Sequence, residues 1–101
     1  MEETEEMLHL CCRVRDYLKN REYAKCEEEI SYAMYLHPDF PEPHNLLGIL
    51  SEHKHDHCRA MKHFRAAYAL DPTYQPARDN LMDFAGFEGR HKSRFTVADC
   101  R

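Results

Sequence analysis

The residues best equipped for chemistry in this chain are gathered at His53-Lys54-His55-Asp56-His57-Cys58, with His63 a turn and a half further on. Imidazole, thiolate and carboxylate groups all bind zinc, nickel or copper, and alternate histidines in a turn could converge on one ion. Against a metal, the run is as polar as a turn between two helices should be, and no second Cys or His half-site with ligand spacing lies nearby. His53, His55, His57 and Cys58 are therefore candidate ligands only, and no cofactor is expected. The chain's eight histidines also titrate near neutrality, so its charge changes over roughly pH 5 to 8.

The other reactive side chains point to packing rather than catalysis. Five cysteines are an odd number, none in a CxxC pair, and the adjacent Cys11 and Cys12 are badly placed to bridge each other. Cys26 and Cys58 fall on or beside the inward face of their helices, where small buried thiols are common. Glu27-Glu28-Glu29 reads as an exposed helix face. There is no glycine-rich phosphate loop, no HExxH and no GxSxG. An enzyme is not expected.

These residues need a scaffold, and the composition limits its kind. The 101 residues suffice for one domain, and with 43% hydrophobic and 32% charged residues, three Gly and no Trp the chain leans towards helices. No apolar run approaches the ~18 residues of a membrane span. The opening MEETEEM is acidic where a secretory signal is basic and then apolar. A cytoplasmic protein with reduced thiols is expected, with no membrane partner. The net charge of −4 argues against nucleic acid. Residues 1–42 hold eleven acids and five bases (−6), and residues 43–101 seven acids and nine bases (+2).

The chain also repeats itself. Leu36-His37-Pro38 and Leu70-Asp71-Pro72 lie 34 residues apart, and Cys26 with Ala60, Ile30 with Phe64 and Ala33 with Ala67 keep the same offset. Residues 22–36 and 57–70 carry apolar side chains at three-to-four spacing, the mark of an amphipathic helix. Residues 4–19 and 42–53 form the helix before each, with Met7, Leu8, Leu10, Val14, Tyr17 and Leu18 buried in the first and Leu46, Leu47, Ile49 and Leu50 in the second. Pro38, Pro41 and Pro43, then Pro72 and Pro76, each mark a stop followed by a start, because proline is tolerated only in a helix's first turn.

This pattern resembles the tetratricopeptide repeat, a 34-residue helix–turn–helix unit. The best match is 41–74, where Leu47, Gly48, Ala60, Phe64, Ala67 and Pro72 fall on the family's signature positions. Repeat 7–40 has Val14 where the family has glycine and Cys26 where it has alanine, with Ile30, Ala33 and Pro38 in register. The resemblance implies an all-α, right-handed array of antiparallel helical hairpins: two repeats and a closing helix, 75–87, within a domain spanning 1–87. Arg78, Asp79, Asn80 and Asp83 give that closing helix a polar outer side. Residues 88–101 are a basic tail, frayed or forming a truncated third-repeat helix after a turn at Gly89. Arg94 does not suit the slot that Ala60 fills one repeat earlier. Gly48 and Ala60 let the helices of one hairpin approach closely, so a Leu at 60 is expected to overpack it.

The family holds protein segments on the concave surface made by the first helix of each hairpin. By position, that groove is lined here by Leu8, Cys11, Arg15, Leu18 and Lys19, by Asn45, Ile49, Glu52 and His53, and by Asp79 and Asp83. It is basic at one end and acidic at the other, so a polar segment with the opposite charge order is implied. A carboxylate clamp of the kind some members use is not expected, because its positions read Cys11, Arg15, Leu46, Pro76 and Asn80. The function implied is protein–protein interaction, as adaptor, scaffold or assembly factor. The alternatives are a homo-oligomer built by stacking exposed repeat ends, and metal binding at His53–Cys58. Tyr32 and Tyr35, facing away from the core, are candidate interface residues.

Overall fold

The computed structural model describes residues 4–85 and 93–100. They form five α-helices, α1 (Glu5–Lys19), α2 (Tyr23–Leu36), α3 (Pro41–His53), α4 (His57–Leu70) and α5 (Gln75–Ala85), and a short 3-10 helix, Val97–Cys100. No strand occurs among the described residues. Each helix packs on its sequence neighbour, and α3 also touches both α1 and α5. The fold is thus an all-α array in which α1, α3 and α5 line one side.

Local sequence explains the boundaries. The Thr4 hydroxyl accepts the Met7 N–H at 3.2 Å and so caps α1, whose first turn carries Glu5 and Glu6 against the positive end of the helix dipole. Pro41 opens α3 where no N–H is needed. The Asp56 carboxylate caps α4 through the Arg59 N–H at 3.1 Å.

The 34-residue period is written into the backbone. The last residues of α1 and α3, Lys19 and His53, are 34 apart, and α2 and α4 keep that offset at both ends. Arg21 and His55, also 34 apart, both adopt left-handed conformations, with φ of 57° and 64°. Each closes the same C-terminal motif. Glu22 N–H donates to Tyr17 O at 2.8 Å and Arg21 N–H to Leu18 O at 3.1 Å; Asp56 N–H donates to Ser51 O at 2.8 Å and His55 N–H to Glu52 O at 3.0 Å. Two segments with different side chains take the same turn because the same helix carbonyls need partners.

One apolar cluster runs through the array: Met7, Leu10, Cys11, Val14 and Leu18 from α1, Cys26, Ile30 and Ala33 from α2, Leu46, Ile49 and Leu50 from α3, Ala60, Met61 and Phe64 from α4, and Phe84 from α5. Ala67, Tyr74 and Ala77 form a second cluster. A Cβ on Gly48 would stand 2.6 Å from Phe64 Cδ1 and 2.8 Å from its Cζ, so α3 and α4 meet at a distance only glycine permits there. Leu47 packs on the rim of the core. Pro38 and Pro72, expected among the packing residues, are exposed in turns instead; their effect is to stop α2 and α4, not to fill space.

Two further expectations change. Cys58 is exposed, because the inward stripe of α4 begins only at Ala60. Of the tail, the described residues 93–100 are helical only over the short 3-10 turn Val97–Cys100. Residues 93–95 are non-helical, and the segment folds back onto the array: Phe95 packs on the main cluster, Val97 on the second, and Thr96 is buried. Expectations for residues 86–92 (the end of the closing helix, the turn at Gly89 and the bases Arg90 and Lys92) lie outside the described residues.

Candidate interaction groove

Groove positions on α3 and α5 converge on the backbone of Arg94. Asn45, in α3, donates its amide N–H to Arg94 O at 2.8 Å. Asn80, in α5, donates to the same oxygen at 2.8 Å and to Asn45 Oδ1 at 2.9 Å, while its own Oδ1 accepts the Arg94 N–H at 2.7 Å. Both carboxamides are completely buried. A carboxamide that engages the N–H and C=O of one residue acts as a neighbouring strand does: it holds extended backbone without reading the side chain. One residue on, the Tyr74 hydroxyl donates to Phe95 O at 3.3 Å.

Charge sets the direction of the segment. At the acidic end the Arg94 guanidinium stands 3.8 Å from the Asp83 carboxylate, an ion pair too long for a hydrogen bond. At the basic end Arg15 reaches Asp99 at 3.7 Å and lies over the Phe95 ring, 5.4 Å from its centroid. The charge order implied for a bound segment is therefore met by the chain itself. Asp99 also folds the segment: its Oδ2 accepts the Phe95 N–H at 2.8 Å and the Thr96 N–H at 3.0 Å, and its carbonyl accepts from Arg94 Nη1 at 2.9 Å.

The remaining groove positions separate into three groups. Lys19, Leu18 and His53 border a hollow of about 420 Å³ beside Ser93, Phe95 and Asp99. Glu52 joins Leu18, His53 and His55 around an adjoining hollow of about 570 Å³. Asp79 is half-buried on α5, and Leu8 is exposed on α1. Cys11 and Ile49, expected to line the groove, belong to the core instead. Each sits within a three-to-four stripe, Cys11 between Met7 and Val14 and Ile49 three residues after Leu46, and that stripe is the inward face.

The histidine turn forms no metal centre: among the described residues no three His, Cys, Asp or Glu side chains are placed to share an ion. His57 Nδ1 and Glu52 Oε2 share a hydrogen bond of 2.6 Å, and His55 occupies the left-handed turn position. Desolvation, followed by the charge of His55, holds the His53 imidazole below its usual pKa. Cys26, between α1 and α2, donates its thiol to Val14 O at 3.8 Å, and burial raises its pKa to about 11, so it stays a thiol. In the acidic run, Glu27 pairs with Lys54 and Glu29 with Arg13 on neighbouring helices. Tyr32 and Tyr35 are exposed on α2; Tyr32 borders a separate hollow of about 470 Å³ between α1 and α2.

Sequence reasoning missed Tyr74, Phe95 and Asp99. Asn80, expected on the polar outer side of the closing helix with Arg78, Asp79 and Asp83, is instead fully buried beside Asn45. Buried amides need partners, and the Asn45–Asn80 bond leaves further donors and an acceptor that the Arg94 backbone meets. No protein-family model, no curated protein and no solved structure matches this chain.

Proposed function

We infer that this protein is an interaction module of the tetratricopeptide type, binding an extended protein segment on the side lined by α1, α3 and α5. The observation that carries the reading is the paired engagement of the Arg94 backbone by Asn80, at 2.7 and 2.8 Å, with Asn45 joining at 2.8 Å. Asn80 and Asn45 also bond each other at 2.9 Å, but three of their four hydrogen bonds go to the backbone of a segment outside the five α-helices. The 34-residue backbone period and the close approach at Gly48 further support the family resemblance.

A displayed library of random twelve-residue peptides, panned on the wild-type chain and on an Asn45→Ala/Asn80→Ala variant, tests the reading. Enriched peptides should bind the wild type and perturb the backbone resonances around Asn45 and Asn80. The variant, verified as helical by circular dichroism, should bind them at least tenfold more weakly. Equal binding to both chains would place recognition elsewhere and remove the assignment.

A further inference from the structure

The chain's own segment 93–100 lies where a partner would, and its contacts describe what the groove selects. Three features go beyond backbone capture. The Phe95 ring packs on the apolar core beneath the Arg15 guanidinium, 5.4 Å from the ring centroid. Thr96, next in line, is a small side chain buried at 3% exposure. Asp99 closes the turn by accepting the Phe95 and Thr96 N–H groups at 2.8 and 3.0 Å, and the same carboxylate meets Arg15 at 3.7 Å. Arg15 thus faces an aromatic ring and a carboxylate four positions apart at once, and a segment that lacks either leaves a half-buried guanidinium short of a contact.

Resting on the groove reading above, we propose that the partner is a protein segment with an aromatic residue, a small residue directly after it and an aspartate four positions after the aromatic, and that residues 93–100 occupy the groove in cis as a stand-in for it. Seven residues separate Ala85 from Ser93 in sequence, so the segment competes for the groove as part of the same molecule. A partner in trans must therefore out-compete the tail, so the tail sets the concentration threshold for binding.

The test uses a fluorescent nine-residue peptide, Ser-Arg-Phe-Thr-Val-Ala-Asp-Ser-Arg, and the full chain carrying Phe95→Ala and Asp99→Ala to weaken the tail without touching the groove. Phe95→Ala alone serves if the double variant loses its helical signal. By anisotropy the peptide should bind this chain at least tenfold more tightly than it binds the wild type. Replacing the peptide's Phe or its Asp by Ala should weaken binding at least tenfold each, and adding Asn80→Ala to the chain should abolish it. Equal affinity for all three peptides, with Asn80→Ala still abolishing binding, would overturn the motif and leave backbone capture standing. No binding by the parent peptide at millimolar concentration, or binding indifferent to Asn80→Ala, would overturn both.

Discussion

Gly48 and Phe64 illustrate how one residue sets the distance between two helices. Alanine is the better helix former, by about 1 kcal/mol over glycine, so local propensity favours Gly48→Ala. The added Cβ, however, would stand 2.6 Å from Phe64 Cδ1. The ring has no easy retreat, because its other side stacks on Phe84 with centroids 5.6 Å apart. Overpacking of this kind costs about 1–3 kcal/mol and exceeds the propensity gain. Gly48→Ala should therefore destabilise the protein, by up to about 2 kcal/mol in a urea titration after the opposing term is subtracted. A Phe64→Leu/Gly48→Ala double variant should recover part of that loss. An unchanged midpoint in the single variant would mean that α3 and α4 part without penalty.

At the scale of the element, the two hairpin turns carry strain that a substitution can release. Arg21 and His55 hold φ of 57° and 64° where an L-residue costs about 1–2 kcal/mol relative to glycine. Glycine also gains freedom in the unfolded chain, an opposing effect of about 0.4–1 kcal/mol. Arg21→Gly and His55→Gly should each stabilise by roughly 0.5–1 kcal/mol, read as a rise in melting temperature. The α3–α4 pair adds a pH dependence. His44 and His63, ring centroids 6.0 Å apart, are both held below their usual pKa by desolvation, His63 also by His44 and Arg59. Their depressed values mean that the unfolded chain binds protons first as pH falls. The stabilisation they contribute is complete above about pH 6.5 and is lost as pH drops from there through the folded-state values. Urea midpoints should fall between pH 7.5 and 5.5, and by less in His44→Gln/His63→Gln; identical slopes would remove the pair from the account. The helices themselves were legible in the sequence, because apolar spacing and the prolines at 38, 41 and 72 act locally. The tail was not. Phe95 and Val97 find their partners on helices far away in sequence, and nothing local to Arg94 announces that its backbone will bond Asn45 and Asn80.

For the whole molecule, the question is whether residues 93–100 are a ligand or a cap. Ordering eight residues costs on the order of 8 kcal/mol or more in backbone entropy. Against this stand four hydrogen bonds between Asn45, Asn80 and Tyr74 and the Arg94 and Phe95 backbone, worth about 1 kcal/mol each net. Burial of parts of Phe95, Thr96 and Val97 adds about 3–5 kcal/mol. These gains do not exceed the ordering cost, so the segment is at most weakly held, as a displaceable occupant should be. Removing it lets water reach the two carboxamides, a milder change than leaving them buried without partners. A chain truncated after Lys92 should therefore keep its helical signal and a cooperative transition. Its melting temperature should fall by no more than about 10 °C, the equivalent of 1–2 kcal/mol in a domain of this size. It should also bind the nine-residue peptide without competition. Loss of the helical signal on truncation would instead mean that α5 cannot close the array alone, making the segment the final layer of the core and the groove a structural seam.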